Sequence, residues 1–307
     1  MDKTLALAAS GLAVAATLGG GAYAQETRTQ FRTDTAFARG ETFVEDAADP
    51  DIGLTLENAF DSNNWASLIM PKGNGRVWRL EQQFRVREYE DRDDLDSQLL
   101  TTRLQYWTPK GENDQLRFWF DAGFNYRDGD HRYSRVRGHA QWRHRPDAQN
   151  ETIVSLQTDL YDFTDKATDG LDQTRWRAGI EQRRYKDETF PVNLAVGAFV
   201  TTADADADRF AFDGVEVRGR IWDQFNETWA GEVNFAFAQR DYDGDFSTAE
   251  PLPREDDRWE ARARLDYLVT PHQAIYAEVG YLQNDSNISV RDYDGMTFRV
   301  GFRARFG

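Results

Sequence analysis

Arginine and acidic residues recur at every second position in several segments of this 307-residue chain. In one of them, Arg262 and Arg264 are separated by alanine and flanked by Glu260 and Asp266. Guanidinium groups suit carboxylates and phosphates, and rings of arginine favour anions in channels. The pattern therefore predicts a cationic surface for acidic ligands, or a salt-bridged network. The candidate residues are Arg79, Arg85, Arg103, Arg117, Arg135, Arg137, Arg175, Arg177, Arg218, Arg220, Arg262, Arg264, Arg299, Arg303, Glu216, Glu260, Asp266 and Glu278.

The residues between these charges are apolar, so each segment reads as an amphipathic β-strand. In 259–267 one face carries Trp, Ala, Ala, Leu and Tyr, and the other carries Glu, Arg, Arg and Asp. Twelve such segments are predicted at 76–90, 95–108, 114–127, 131–144, 150–163, 171–185, 189–202, 208–223, 227–240, 258–269, 273–284 and 294–306.

The connections between the segments alternate in kind. Tight turns such as 108–111 and 145–147 alternate with more acidic and often longer connections such as 164–172, 203–208 and 241–257. Long alternating strands with short turns on one side are typical of a transmembrane antiparallel up-and-down β-barrel. A soluble sandwich or lipocalin-like barrel also alternates, but its strands are usually shorter. We therefore predict an all-β outer-membrane barrel with both termini periplasmic and acidic loops outside.

The segments before residue 76 divide in two. Residues 1–24 combine a charged start, an apolar stretch and an Ala-Tyr-Ala site, which predicts a cleaved signal peptide. Residues 25–75 alternate partially at 27–37 and 52–60. They supply a first hairpin, which makes fourteen strands, or form a periplasmic extension or plug; 76–307 is the barrel.

Composition excludes several classes. The net charge of −16 argues against nucleic acid as a partner. Mean hydropathy is −0.74, and after residue 25 no apolar run is long enough for a spanning helix. The chain has no cysteine, and its four histidines and its serines form no recognised catalytic spacing. We expect no enzyme, no cofactor and no metal, and we interpret acidic segments such as 203–208 as solvated loops rather than calcium sites.

If the apolar faces meet lipid, the charged faces line the lumen. The lipid-facing residues are then Trp176, Trp259, Phe298, Phe302 and Phe306. Two interpretations of the lumen remain open. Excess arginine favours an anion path, whereas small barrels commonly fill their own interior with side chains. The expected surroundings are outer-membrane lipid, lipopolysaccharide and the barrel assembly machinery.

The C-terminal region carries a family resemblance. Residues 281–288, then Arg291-Asp292-Tyr293-Asp294 and the closing strand 298–306, resemble the end of the barrel of surface lipoprotein assembly modifiers, and Asp61-Ser62-Asn63 resembles their first hairpin. The resemblance implies about fourteen strands and a role in bringing lipoproteins to the cell surface. Those proteins usually carry a helical repeat region before the barrel, which this sequence lacks.

Three functions follow as hypotheses. The resemblance implies transport or surface display of a protein, with a lipoprotein client. The arginine-rich lumen favours a porin-like channel for small anionic solutes. The acidic loops suit a structural or adhesive barrel.

Overall fold

The computed structural model of the protein describes residues 27–40, 57–164 and 170–307. The expected all-β class is confirmed, and the described residues form fourteen strands. No helix among them is long and apolar enough to cross a membrane. The strands are β1 (Arg28–Arg39), β2 (Asn58–Lys72), β3 (Arg76–Tyr89), β4 (Ser97–Lys110), β5 (Asp114–Arg127), β6 (Asp130–His144), β7 (Asn150–Phe163), β8 (Gln173–Arg184), β9 (Asn193–Ala205), β10 (Phe212–Gln224), β11 (Trp229–Asp245), β12 (Pro253–Thr270), β13 (Gln273–Ser286) and β14 (Tyr293–Phe306).

The sheet is a closed antiparallel barrel. Each strand pairs with its neighbours in the chain, and β14 returns to pair with β1 from Phe31 opposite Phe306 to Arg39 opposite Phe298. Closure leaves none of the fourteen described strands with an open edge, as a sheet surrounded by hydrocarbon requires. Both ends of the barrel, Arg28 and Phe306, lie at the edge that carries the short turns 73–75, 111–113 and 271–272.

Within the segment 25–75, the described strands β1 and β2 pair with each other as the first two strands of the barrel. Strand β1 agrees with the prediction at 27–37, but β2 runs from Asn58 to Lys72, later than the predicted 52–60. The predicted bounds of this second strand are wrong because polar residues occupy both faces of β2, so its sequence does not alternate between apolar and polar residues. The predicted signal peptide at 1–24 lies outside the described residues.

Several other strand boundaries differ from the prediction by a few residues. The connection predicted at 241–257 is shorter, because β11 continues to Asp245 and β12 starts at Pro253. Arg254 stabilises this extension, since it pairs with Asp256 and lies 4.7 Å from the ring centre of Tyr242. Strand β9 starts at Asn193 rather than 189, because a turn closed by the Asp187 side chain and followed by proline occupies 187–192.

The interior of the barrel is charged at mid-height and apolar near one rim. Side chains such as Phe120, Ile180 and Val300 are more than half exposed on the outer face. At the edge opposite the termini, buried apolar clusters point inward. Their members are Tyr133, Tyr161, Phe163 and Leu171 in one cluster; Ala59, Tyr89 and Leu95 in a second; and Ala203, Phe212 and Tyr242 in a third.

Replacement of Asp187 by alanine should destabilise the β8–β9 turn. The Asp187 Oδ1 atom accepts hydrogen bonds from the Thr189 hydroxyl (2.8 Å) and from the Thr189 and Phe190 N–H groups (2.9 and 2.8 Å). These bonds hold the pKa of Asp187 below its ordinary value. A depressed pKa stabilises the fold above the unfolded pKa, and this contribution disappears as pH falls through the folded pKa.

The urea midpoint of Asp187→Ala, followed by tryptophan fluorescence, is expected to fall below that of the unaltered protein at pH 7. The difference should shrink as pH falls through the folded pKa of Asp187 and vanish below it. Glu188→Ala is the control, because Glu188 is exposed at the neighbouring position. Equal midpoints for the two variants at pH 7 would contradict the role of Asp187.

Candidate functional site: the charged barrel interior

The inner series of each strand carries the charges picked out in the sequence. All eighteen candidate charged residues alternate with outward side chains and lie on inner series, and most of the arginines among them pair with an acidic side chain. The five residues expected to face lipid lie on the outer face and are 39–50% exposed: Trp176, Trp259, Phe298, Phe302 and Phe306.

Buried carboxylates fill the wall formed by β2–β7. The Asp121 side chain is fully buried and lies 3.2 Å from Arg103 and 3.3 Å from Arg135. Glu81 lies 2.5 Å from Arg79 and 3.7 Å from Arg103. Arg103 therefore links two of these acids in one network.

The same pattern continues on both sides of this network. Asp61 of β2 binds Arg85 at 2.6 Å and Arg87 at 2.5 Å, and Arg299 reaches it from β14 at 3.6 Å. Asp159 pairs with Arg137. Since a buried carboxylate is costly without a partner, this half of the interior is a salt-bridged filling.

The opposite wall borders an open cavity of about 710 Å³. Its lining includes ten arginines and only five glutamates, which leaves an excess of positive charge. Several of these guanidinium groups face the open space: the side chains of Arg218 and Arg220 are each 46% exposed. The charged lining residues are Arg137, Arg175, Arg177, Arg183, Arg218, Arg220, Arg240, Arg258, Arg262, Arg264, Glu181, Glu216, Glu232, Glu260 and Glu278.

Phe199 positions one pair of these arginines. Its ring lies against Gly179 and Gly197, where a Cβ at either glycine would collide with it. The guanidinium carbons of Arg177 and Arg218 lie 4.4 and 4.7 Å from the ring centre. Both arginines also pair with Glu216, Arg177 at 3.0 Å. The two glycines of β8 and β9 thus give the ring the space that holds the arginines at the wall.

Phe212 holds a second pair of arginines, without a carboxylate. The guanidinium carbons of Arg175 and Arg240 lie 5.5 and 5.2 Å from its ring centre. Arg175 donates to the amide oxygen of Gln173 at 2.9 Å. Within the part of the chain that the structure describes, neither arginine forms an ion pair with an acidic side chain. Their charge therefore stays uncompensated at the cavity.

A ladder of alternating charge completes the lining along β10–β13. Glu232 lies 2.5 Å from Arg220 and 3.4 Å from Arg264. Glu260 lies 2.7 Å from Arg262 and 3.3 Å from Arg258. Each glutamate lies between two arginines. A bound anion would therefore compete with the glutamate for the N–H donors of these arginines.

Several contributors were absent from the candidate set. Asp61 lies in β2, whose period the sequence hides, and Arg240 and Arg258 stand at the ends of predicted strands. Phe199 and Phe212 were absent from the candidate set because they are apolar residues on inner faces, where the sequence pattern predicts charged ones. The neighbouring glycines at 179 and 197 were the one sequence signal for an inward ring in that region.

Loop carboxylates cap strand ends at the rim opposite the termini. The Oδ1 atom of Asp96 accepts from the Tyr89 N–H at 2.8 Å, and Asp172 accepts from the Phe163 N–H at 2.6 Å. Burial raises the pKa of Asp96 above its ordinary value, although the Tyr89 bond opposes the rise. Across the described ranges, no group of three or more potential ligands could hold a metal ion.

Comparison with known proteins finds outer-membrane barrels of similar fold. Residues 216–306 match the family model described as "Putative beta-barrel porin 2". No curated protein sequence matches the chain. The fold is similar to that of OmpT, an outer membrane protein of Vibrio cholerae, in a loop L8 deletion mutant (TM-score 0.51, 8% identity, 91% of this chain and 99% of that chain).

The fold is also similar to two proteins of Acinetobacter baumannii. One is the outer membrane channel DcaP (TM-score 0.50, 11% identity, 91% of this chain and 96% of that chain). The other is CdiB (TM-score 0.50, 9% identity, 91% of this chain and 60% of that chain). At these identities the likeness shows the fold alone.

Replacement of Asp121 by asparagine should destabilise the barrel strongly. The change removes the carboxylate from Arg103 and Arg135 in a fully buried position. Breaking a buried pair in this way lowers the free energy of unfolding by about 3–5 kcal/mol. Urea unfolding of the refolded protein in lipid vesicles measures the effect.

Glu260→Gln is the matched control, because its side chain is 27% exposed at the cavity. Its expected cost is below about 1 kcal/mol. Similar costs for the two variants would show that the two walls do not differ in burial as described.

Proposed function

We propose that the protein is an outer-membrane channel whose open interior favours small anionic solutes. The observation that carries this proposal is the excess of arginine at the cavity, with Arg175 and Arg240 held on Phe212 without a carboxylate partner. A lining of one sign raises the local concentration of the opposite ion. Guanidinium groups offer several N–H donors to carboxylate or phosphate.

The salt-bridged wall of β2–β7 and the opposite wall at the cavity have separate roles in this proposal. A barrel of about eight strands is filled by its own side chains, whereas about sixteen to eighteen strands leave an aqueous channel. Fourteen strands lie between these cases. The buried ion pairs of β2–β7 narrow the interior, and solutes pass along β8–β13, where Arg218 and Arg220 are exposed.

The orientation in the membrane is part of the proposal. The edge with short turns and both barrel ends, Arg28 and Phe306, faces the periplasm, as short turns do in bacterial barrels. The acidic loops then face outward, and a solute meets them before it reaches Arg175 and Arg240.

Surface display of a lipoprotein is the alternative, supported by the resemblance of residues 281–306 to assembly modifiers. The geometry favours the channel, because passage of a polypeptide through the lumen would have to break the buried pairs at Asp61 and Asp121.

Removal of the uncompensated arginines should lower anion preference. The double variant Arg175→Gln/Arg240→Gln deletes two positive charges and strands no acidic partner. In planar bilayers under a salt gradient, its reversal potential is expected to move toward that of a cation-preferring pore. Glu260→Gln should move it in the opposite direction, because Arg258 and Arg262 lose their shared acid.

Arg76→Gln is the control for charge alone. Arg76 is exposed at the start of β3, in the outward series that contains Trp78. Its reversal potential should equal that of the unaltered protein. A silent barrel, or one without anion preference, would contradict the channel.

The display alternative has its own measurement. Deletion of the gene, followed by protease shaving of intact cells, should deplete particular surface lipoproteins if the protein displays them. An unchanged surface proteome together with anion-selective conductance supports the channel alone.

A further inference from the structure

The outer face of the barrel is apolar at mid-strand around most of its circumference. Outward side chains there include Phe120 of β5, Ile180 of β8 and Val217 of β10, which are 54%, 52% and 45% exposed. Val233 of β11 and Val300 of β14 continue the belt at 50% and 58%. Such side chains suit contact with hydrocarbon.

Strands β1–β4 interrupt this belt with a patch of neutral polar side chains. The patch lies outside because its residues alternate with Arg32, Asp61, Glu81 and Arg103, which form ion pairs in the interior. The polar patch consists of Thr33, Thr35, Ser62 and Asn64 on β1–β2 and of Gln82 and Thr102 on β3–β4, with Ala66 and Phe84 between the two groups.

Hydrogen bonds within β2 and between neighbouring strands join several of these side chains. The Thr33 hydroxyl donates to Asn64 Oδ1 at 2.8 Å, and Asn64 Nδ2 donates to the Ser62 hydroxyl at 3.0 Å. The Thr102 hydroxyl donates to Gln82 Oε1 at 3.0 Å. Asn64 and Thr102 are nevertheless exposed.

Lipid tails cannot complete the hydrogen bonding of this patch. A side-chain amide carries two N–H donors and an oxygen with two lone pairs, and Asn64 Nδ2 uses one donor toward Ser62. Unsatisfied polar groups are expensive in hydrocarbon, whereas hydroxyl and amide side chains associate across protein interfaces inside membranes. The patch is therefore suited to contact with protein rather than lipid.

We propose that the polar patch is the interface with a second copy of this chain, related by a two-fold axis normal to the membrane near β2. Hydroxyl and amide groups both donate and accept, so the patch complements itself, as a two-fold interface requires. The charges above it are complementary too: Arg39 of β1 and Glu88 of β3 are exposed at the same edge, on either side of β2. A two-fold axis at β2 brings Arg39 of each copy toward Glu88 of the other.

An outer groove continues the patch toward this edge. It has a volume of about 600 Å³, and Phe37, Phe60, Phe298 and Val300 line it. Phe37 is 74% exposed, the largest fraction among the exposed large apolar side chains of the described residues. The second copy covers this ring together with the polar patch.

Single-cysteine cross-linking tests the interface, because the chain has no cysteine of its own. Asn64→Cys places a thiol near the proposed axis. Ala198→Cys is the matched control, exposed on the outer face of β9 on the far side of the barrel. After oxidation in isolated outer membranes, Asn64→Cys is expected to form a covalent dimer of this chain, and Ala198→Cys is expected to stay monomeric.

Exchange of the charges at Arg39 and Glu88 is a second test of the interface. In mild detergent the unaltered protein should have the mass of two chains. Arg39→Glu should lose the dimer by placing like charges together, and Arg39→Glu/Glu88→Arg should restore it. Native mass spectrometry measures the mass of all three proteins. The folding of each is checked by its heat-modifiable mobility in gels.

Four outcomes would overturn the proposal. They are a monomeric mass for the unaltered protein, equal cross-linking at Asn64→Cys and Ala198→Cys, a cross-link from Asn64→Cys to a different protein, and failure of the double charge swap to restore the dimer. The interface does not depend on conductance, so these results are independent of the channel's selectivity.

Discussion

The barrel depends on one constraint: hydrocarbon offers no hydrogen bond to a peptide group. Every strand must therefore pair on both sides, and the sheet must close, here through β1 and β14. Closure with a side-chain period of two then separates two surfaces completely. Apolar side chains such as Val300 face out, and charged ones such as Arg299 face in.

The charged side chains enclosed in the barrel are stabilised in two ways. Along β2–β7, acids such as Asp121 lie between arginines and are fully buried, which makes that wall rigid and closed. Along β8–β13, arginines outnumber acids, and the Phe212 ring holds the guanidinium groups of Arg175 and Arg240 instead. An arginine on an aromatic face remains able to bind an anionic solute, whereas an arginine in a salt bridge is already paired with a carboxylate.

Sequence reasoning found the strands and the charged series well, because both follow from alternation. It placed β5 and β7 at their observed bounds. It failed where alternation is broken or where partners are distant in sequence. Strand β2 carries Ser62 and Asn64 on its outer face, so its period is hidden, and the inner Asp61 was overlooked with it. The extension of β11 and β12 depends on Arg254 of β12, which packs on Tyr242 of β11 across the hairpin.

The sequence by itself determined the class of fold, the outward-facing aromatics and which side of each strand is charged, because these depend only on neighbours two positions apart. Only the tertiary structure decided the number of strands, since closure requires the register of β1 against β14. It also decided which arginines are neutralised. Arg103 meets Asp121 while Arg240 lies on Phe212, and that choice depends on the register between strands.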